Sequence, residues 1–148
     1  MIRVFLVDDH EIVRRGVREL LEAEDDIDVV GEAGTAEQAI TRVAVVDADV
    51  ALLDVRLPDG DGIEVCRETR SRHPDLPCLM LTSYADDEAL FGAIVAGAAG
   101  YVLKQGRGAD LVDSVRRGAA GQSLLDPALT AKVLDRLRAG PEQDERTA

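Results

Sequence analysis

Apolar residues in this chain fall into short, mostly apolar runs, separated by longer stretches in which they recur every three or four positions. The runs are Ile2 to Val7, Asp28 to Ala33, Val50 to Leu53, Cys78 to Leu81 and Tyr101 to Leu103. Segments of this length that are apolar on both faces suit buried strands of a parallel sheet, and the stretches between them suit amphipathic helices. The pattern is strand then helix, five times over. With right-handed crossovers this predicts an α/β fold, a doubly wound five-stranded parallel sheet covered by helices on both faces.

Turn and capping residues punctuate the pattern. Ile12, Val13, Gly16, Val17, Leu20 and Leu21 make an apolar stripe on the first helix. Thr35, three residues before Gln38, resembles a capping box for the second helix, and Asp86 or Asp87 can cap the fourth. Pro58-Asp59-Gly60-Asp61-Gly62 is a turn cluster ahead of the third helix, and Ala98-Ala99-Gly100 is a tight link before the fifth strand. The fifth helix falls near residues 109–118. Beyond it, Asp126 and Pro127 suit the N-cap and first position of an extra C-terminal helix that carries Leu129, Val133, Leu134 and Leu137 on one face and ends near Gly140. The expected organisation is one domain over residues 1–120, a linker and sixth helix over 121–140, and a disordered tail over 141–148.

Composition narrows what such a domain can do. At 148 residues and 46% hydrophobic, the chain suffices for one core. A net charge of -12 without any Lys/Arg cluster argues against direct binding to nucleic acid or an anionic membrane, which needs a basic face. The opening residues do not read as a signal peptide, and no segment approaches the roughly 20 apolar residues that span a bilayer, so the expected location is cytoplasmic. Cys66 and Cys78 have neither metal-site spacing nor a second pair, and are expected to be reduced thiols without function.

Candidate chemistry gathers at the strand ends. In an open parallel sheet ligands bind outside the carboxyl ends of the strands, and Asp8, Asp9, Asp54, Thr82 and Lys104 all fall there. Taken singly, each has a plain structural reading: Asp9 as a cap for the first helix, Thr82 as a cap for the fourth, Lys104 as a solvated charge. Three acids, a hydroxyl and an ammonium from four strand ends are a combination that random capping seldom assembles. Carboxylates about 4 Å apart repel by roughly 4 kcal/mol per pair at an effective dielectric near 20, so the group either protonates or recruits a cation, and of cations Mg2+ fits oxygen donors best. A carboxylate left partly free beside that ion can attack a phosphoryl group, with Lys104 neutralising its oxygens and Thr82 donating to one of them.

Asp8-Asp9, the segment from Leu52 to Gly62 around Asp54, Leu81-Thr82 and Tyr101-Val102-Leu103-Lys104 together resemble the receiver domain of two-component response regulators, whose fold is flavodoxin-like. The resemblance runs over residues 1 to about 120 in order and spacing. It implies that Asp54 is the phosphoacceptor, taking its phosphoryl group from a sensor histidine kinase. It further implies that Asp9 and Asp54 bind Mg2+ with the main-chain carbonyl of Arg56, that Asp8 acts mainly through water, and that Lys104 pairs with the phosphate. Thr82 and Tyr101 would form a switch pair, against the plain reading of Tyr101 as a packing aromatic. Arg56 and Tyr84 take positions that tune the phosphorylated lifetime, whereas His10 and His73 are set aside as ordinary surface residues.

The opening from Val7 to Gly16 and the segment Gly97 to Tyr101 are similar to the LuxR-type, NarL-like branch, and Gly121 to Pro127 resembles the start of the linker in dormancy-regulator-like members. Such regulators continue into a DNA-binding helix-turn-helix, whereas this sequence stops at Ala148, so it reads as the receiver of a longer transcription regulator or a stand-alone receiver acting through protein contacts. Either way it is a regulatory phosphoacceptor and not an enzyme. An aspartyl-phosphate hydrolase would want a second Asp where Arg56 stands, and a flavodoxin-like cofactor binder would want a phosphate-cradling loop where Asp8-Asp9 stands. Converting a two-state domain from 1:99 to 99:1 takes about 5.5 kcal/mol, more than one Thr bond and one Lys pair comfortably supply. Homodimerisation through the fifth or sixth helix is therefore expected on phosphorylation.

Overall fold

The computed structural model describes residues 1–82, 92–93, 96–103, 108–124, 131 and 135. Five parallel strands form the sheet: β1 (Ile2–Val7), β2 (Ile27–Ala33), β3 (Val50–Asp54), β6 (Cys78–Thr82) and β7 (Gly100–Leu103), in the spatial order β2-β1-β3-β6-β7. Two short pieces, β4 (Arg56–Leu57) and β5 (Gly60–Asp61), pair antiparallel as a small hairpin just beyond β3. The described helices are α1 (Glu11–Glu22), α2 (Ala36–Val43), α3 (Gly62–Arg72) and α4 (Gly108–Ala119). The helix expected between β6 and β7 lies largely outside the described residues, so α4 corresponds to the predicted fifth. Of the extra C-terminal helix only Ala131 and Asp135 are described, both helical.

Alternation along the strands divides the core into two layers, because successive side chains point to opposite faces. Phe5, Val7, Ala51, Leu53 and Met80 join Ala39, Val65 and Cys66 of α2 and α3 on one face. Val4, Leu6, Leu52, Leu79 and Leu81 join Leu21 of α1 and Leu111, Val112 and Val115 of α4 on the other. Each central strand is thus covered on both sides, which is why its residues read as short, mostly apolar runs. Cys66 and Cys78 are both buried free thiols, and hydrogen bonding to Cys66 together with burial pushes the Cys78 thiol well up, which keeps it protonated and unreactive.

Capping follows the predicted chemistry at α2. Thr35 Oγ1 accepts from the Gln38 amide at 3.1 Å, while Gln38 Oε1 accepts from Gly34 N and so satisfies a second free amide. The first helix departs from expectation. Of its apolar stripe only Leu21 is fully buried and Val17 partly so; Ile12, Val13 and Leu20 are exposed. The reason is tertiary: among the described residues the apolar cover of α1 lies toward its C-terminal end, where Leu20 also meets Gly108 at the start of α4. Arg116 of α4 closes that end, pairing with Glu24 at 2.8 Å and Asp26 at 2.8 Å in the turn before β2.

Candidate functional site

Strand order reverses between β1 and β3, and a crevice opens beyond their C-terminal ends at such a switch point. Asp8 and Asp9 follow β1 and Asp54 ends β3, so the three acids flank that crevice. One ligand atom from each of Asp8, Asp9, His10 and Asp54 lies within 4.8 Å of all the others. Asp8 is completely buried and Asp54 is 5% exposed, so their charges are poorly solvated, whereas Asp9 and His10 reach solvent. Clustered hard oxygen donors, two buried and one facing the entrance, fit a divalent cation.

Asp9 does not cap α1. His10 occupies the N-cap position without a capping side-chain bond, and its amide donates to Asp8 Oδ1 at 2.9 Å. That leaves the Asp9 carboxylate for the crevice, where His10 Nδ1 stands 3.0 Å from Asp9 Oδ1. Sequence reasoning set His10 aside, and the structure places it in the cluster, because the helix begins one residue later than a capping Asp9 implies. His73, the other histidine, is half-buried at the far end of α3, away from the strand ends.

Beyond Asp54 the chain turns through the β4–β5 hairpin into α3, and this loop is fastened at both ends. Asp61 caps α3 by accepting from Glu64 N at 2.8 Å. Asp59 reaches sideways to α2, its two oxygens accepting from Ala36 N at 2.7 Å and Glu37 N at 3.0 Å. No local pattern signals that second cap, since its partners are over twenty residues away. These backbone donors hold the Asp59 carboxyl below the ordinary aspartate range. A depressed carboxyl adds stability that is complete above its unfolded pKa and is lost as pH falls through the lower folded value. Asp59→Asn is expected to be less stable than the parent at pH 7, with the gap shrinking below about pH 4; urea unfolding at pH 7 and pH 3 would contradict this if the gap stayed constant.

The remaining sequence candidates are distributed as follows. Thr82 ends β6, its Cα opposite that of Leu103 in β7. Arg56 opens the hairpin and is exposed. Tyr101 pairs with Met80 across β6 and β7 and packs half-buried against the α2 and α3 layer. Lys104 and Tyr84 lie outside the described residues.

Against known proteins, the family described as "Response regulator receiver domain" matches residues 4–116. This chain belongs to that family. The receiver is 54% identical over 145 residues to the DNA-binding transcriptional activator DevR/DosR of Mycobacterium tuberculosis, covering 98% of this chain and 67% of that protein. It is 38% identical over 138 residues to the transcriptional regulatory protein LiaR of Bacillus subtilis, covering 93% of this chain and 65% of that protein. A LuxR-family two-component response regulator from Aurantimonas superposes with a TM-score of 0.80 at 33% identity, over 90% of this chain and 95% of that one. The receiver is therefore of the LuxR type, and it spans about two thirds of the length of these curated relatives. No helix among the described residues is long and apolar enough to cross a membrane.

Proposed function

We propose that this receiver accepts a phosphoryl group on Asp54 from the phosphohistidine of a sensor histidine kinase and changes shape in response. The observation that carries the reading is the buried Asp54 carboxylate at a switch-point crevice with Asp8 and Asp9 within 4.8 Å. A carboxylate oxygen of Asp54 attacks phosphorus, the bond to the histidine nitrogen breaks, and that nitrogen keeps the electron pair. Asp8, Asp9, Asp54 and the carbonyl of Arg56 would hold Mg2+, which supplies charge neutralisation for the phosphoryl oxygens. Lys104 pairs with the phosphate and Thr82 donates to it, a charge-assisted bond worth about 1.5 to 3 kcal/mol, while Tyr101 fills the space that Thr82 leaves.

Residues 1–120 act as this switch, 121–140 as a linker and sixth helix, and 141–148 as a tail. The chemistry is regulatory: the receiver assists only its own phosphotransfer and dephosphorylation. It acts in the cytoplasm and controls transcription through an output domain outside this sequence, a reading supported by the DNA-binding activator it resembles and by its own net charge of -12, which disfavours direct DNA contact.

The test is incubation with phosphoramidate or acetyl phosphate followed by intact-mass measurement. One phosphoryl group per chain is expected, dependent on Mg2+ and abolished by Asp54→Ala. Turnover of many donor molecules without a stable adduct would instead indicate a hydrolase. The labelled sample is expected to sediment as a dimer and the unlabelled one as a monomer; monomer in both would remove dimerisation from the mechanism.

A further inference from the structure

The three acids can share an ion only if the turn that carries two of them is held still, and one arginine is arranged to hold it. The last rung between β1 and its neighbour is the Asp8 amide donating to Ala33 O at 3.0 Å. From there the backbone leaves the sheet and enters α1 within three residues. Arg14 reaches back across that exit, its Nη1 donating to the Asp8 main-chain carbonyl at 2.6 Å. With Asp8 Oδ1 accepting from His10 N, residue 8 is fastened by its amide, its carbonyl and its carboxylate.

Arg14 is itself braced. Its Nε lies 3.2 Å from Glu32 Oε1 on β2, the other Glu32 oxygen takes Arg18 Nη1 at 2.5 Å, and Arg18 Nε pairs with Glu22 at 2.9 Å. The Glu32 carbonyl accepts from Arg42 Nη1 at 2.8 Å, which ties the same residue to α2. Burial distinguishes Arg14 from its neighbour: its side chain is 22% exposed, against 70% for Arg15, which pairs along the helix with Glu11. The rigid guanidinium fork serves Glu32 with one nitrogen and the Asp8 carbonyl with another, a geometry that a lysine ammonium cannot span. Space is tight as well, since a Cβ on Gly34 would stand 3.2 Å from Arg14 Nη1.

We propose that Arg14, braced by Glu32, is a positioning residue that fixes the turn from Asp8 to His10 and thereby sets the affinity of the acidic cluster for its cation. The consequence for affinity rests on the cation-site reading above; the fixing of the turn does not. The sign of the effect separates this role from simple electrostatics. Arg14 is positive, so if it acted only through charge its removal would tighten cation binding; as a positioning residue, its removal weakens it.

The experiment compares the full chain with Arg14→Lys, Arg14→Ala and Glu32→Gln by Mg2+ titration calorimetry, amide hydrogen exchange without metal, and thermal melting. Both Arg14 variants are expected to bind Mg2+ about tenfold more weakly, the lower range for loss of a residue that orients ligands, with Glu32→Gln moving the same way by less. The His10 amide is expected to exchange about tenfold faster in Arg14→Ala, as a locally released turn does. Unchanged exchange, or Mg2+ affinity in Arg14→Lys and Arg14→Ala equal to or tighter than in the parent, overturns the proposal even if melting temperatures fall. Arg14→Lys keeps the charge and guards against an unfolded alanine variant. If the parent binds no Mg2+ and takes no phosphoryl group, the functional reading fails, and exchange at His10 still decides whether Arg14 fixes the turn.

Discussion

Gly62→Ala is expected to cost about 3 kcal/mol or more of folding stability, at the upper end of what overpacking does and in the range reserved for a specific structural fault. A Cβ on Gly62 would stand 1.9 Å from the Asp54 carbonyl oxygen, 2.8 Å from its carbonyl carbon and 3.0 Å from Met80 Cε. The first two are backbone atoms of a buried central strand, so no side-chain rotation relieves the clash. The Gly62 amide also donates to Val55 O at 2.8 Å, which pins the start of α3 against the strand end. Relief therefore requires α3 to retreat with the β4–β5 hairpin, pulling Asp59 away from the N-terminus of α2 and disturbing the backbone that presents Asp54. Urea unfolding followed by circular dichroism measures the loss, and a change below about 1 kcal/mol would show that α3 has room to shift.

Asp9→Asn is expected to act in opposite directions with and without metal. In the metal-free protein the substitution removes one of three neighbouring negative charges while keeping the shape, and a gain of about 1 kcal/mol is expected, well under the roughly 4 kcal/mol of an isolated pair at 4 Å because Asp9 faces solvent. With Mg2+ the order reverses. Binding to the folded state alone stabilises by about 2.7 kcal/mol at a hundred times Kd, and a variant short of one ligand should need on the order of 100-fold more Mg2+ to reach it. Thermal melts with chelator and across a Mg2+ series should therefore cross. Parallel curves would mean that Asp9 neither repels its neighbours nor binds the ion.

Much of this architecture was legible before any coordinates. The mostly apolar runs of β1, β3 and β6 read as strands because both faces of a doubly wound sheet are covered, and the Thr35 cap read from a spacing of three residues. The gathering of Asp8, Asp9 and Asp54 followed from strand ends alone, since parallel strands deliver all their carboxyl ends to one edge. The α1 stripe misled for the complementary reason: periodicity says which residues share a helix face, and only neighbouring elements decide how much of that face is covered. Ile12 sits on the apolar face and stays exposed.

What the sequence by itself determined is what short-range spacing carries: the five strands of the main sheet and their order along the chain, the Thr35 cap, and the acids at the crevice. Tertiary structure alone decided the contacts between distant segments. Asp59 caps a helix 22 to 23 residues away, Arg14 reaches Glu32 across 18, and Gly62 must lack a side chain because the strand carbonyl of Asp54 lies against it. The physical reason is that hydrogen bonds and steric contacts act through space, whereas pattern reports only what is close along the chain. The three acids were readable as a group; the arginine that steadies their turn and the glycine that lies against the Asp54 carbonyl were not.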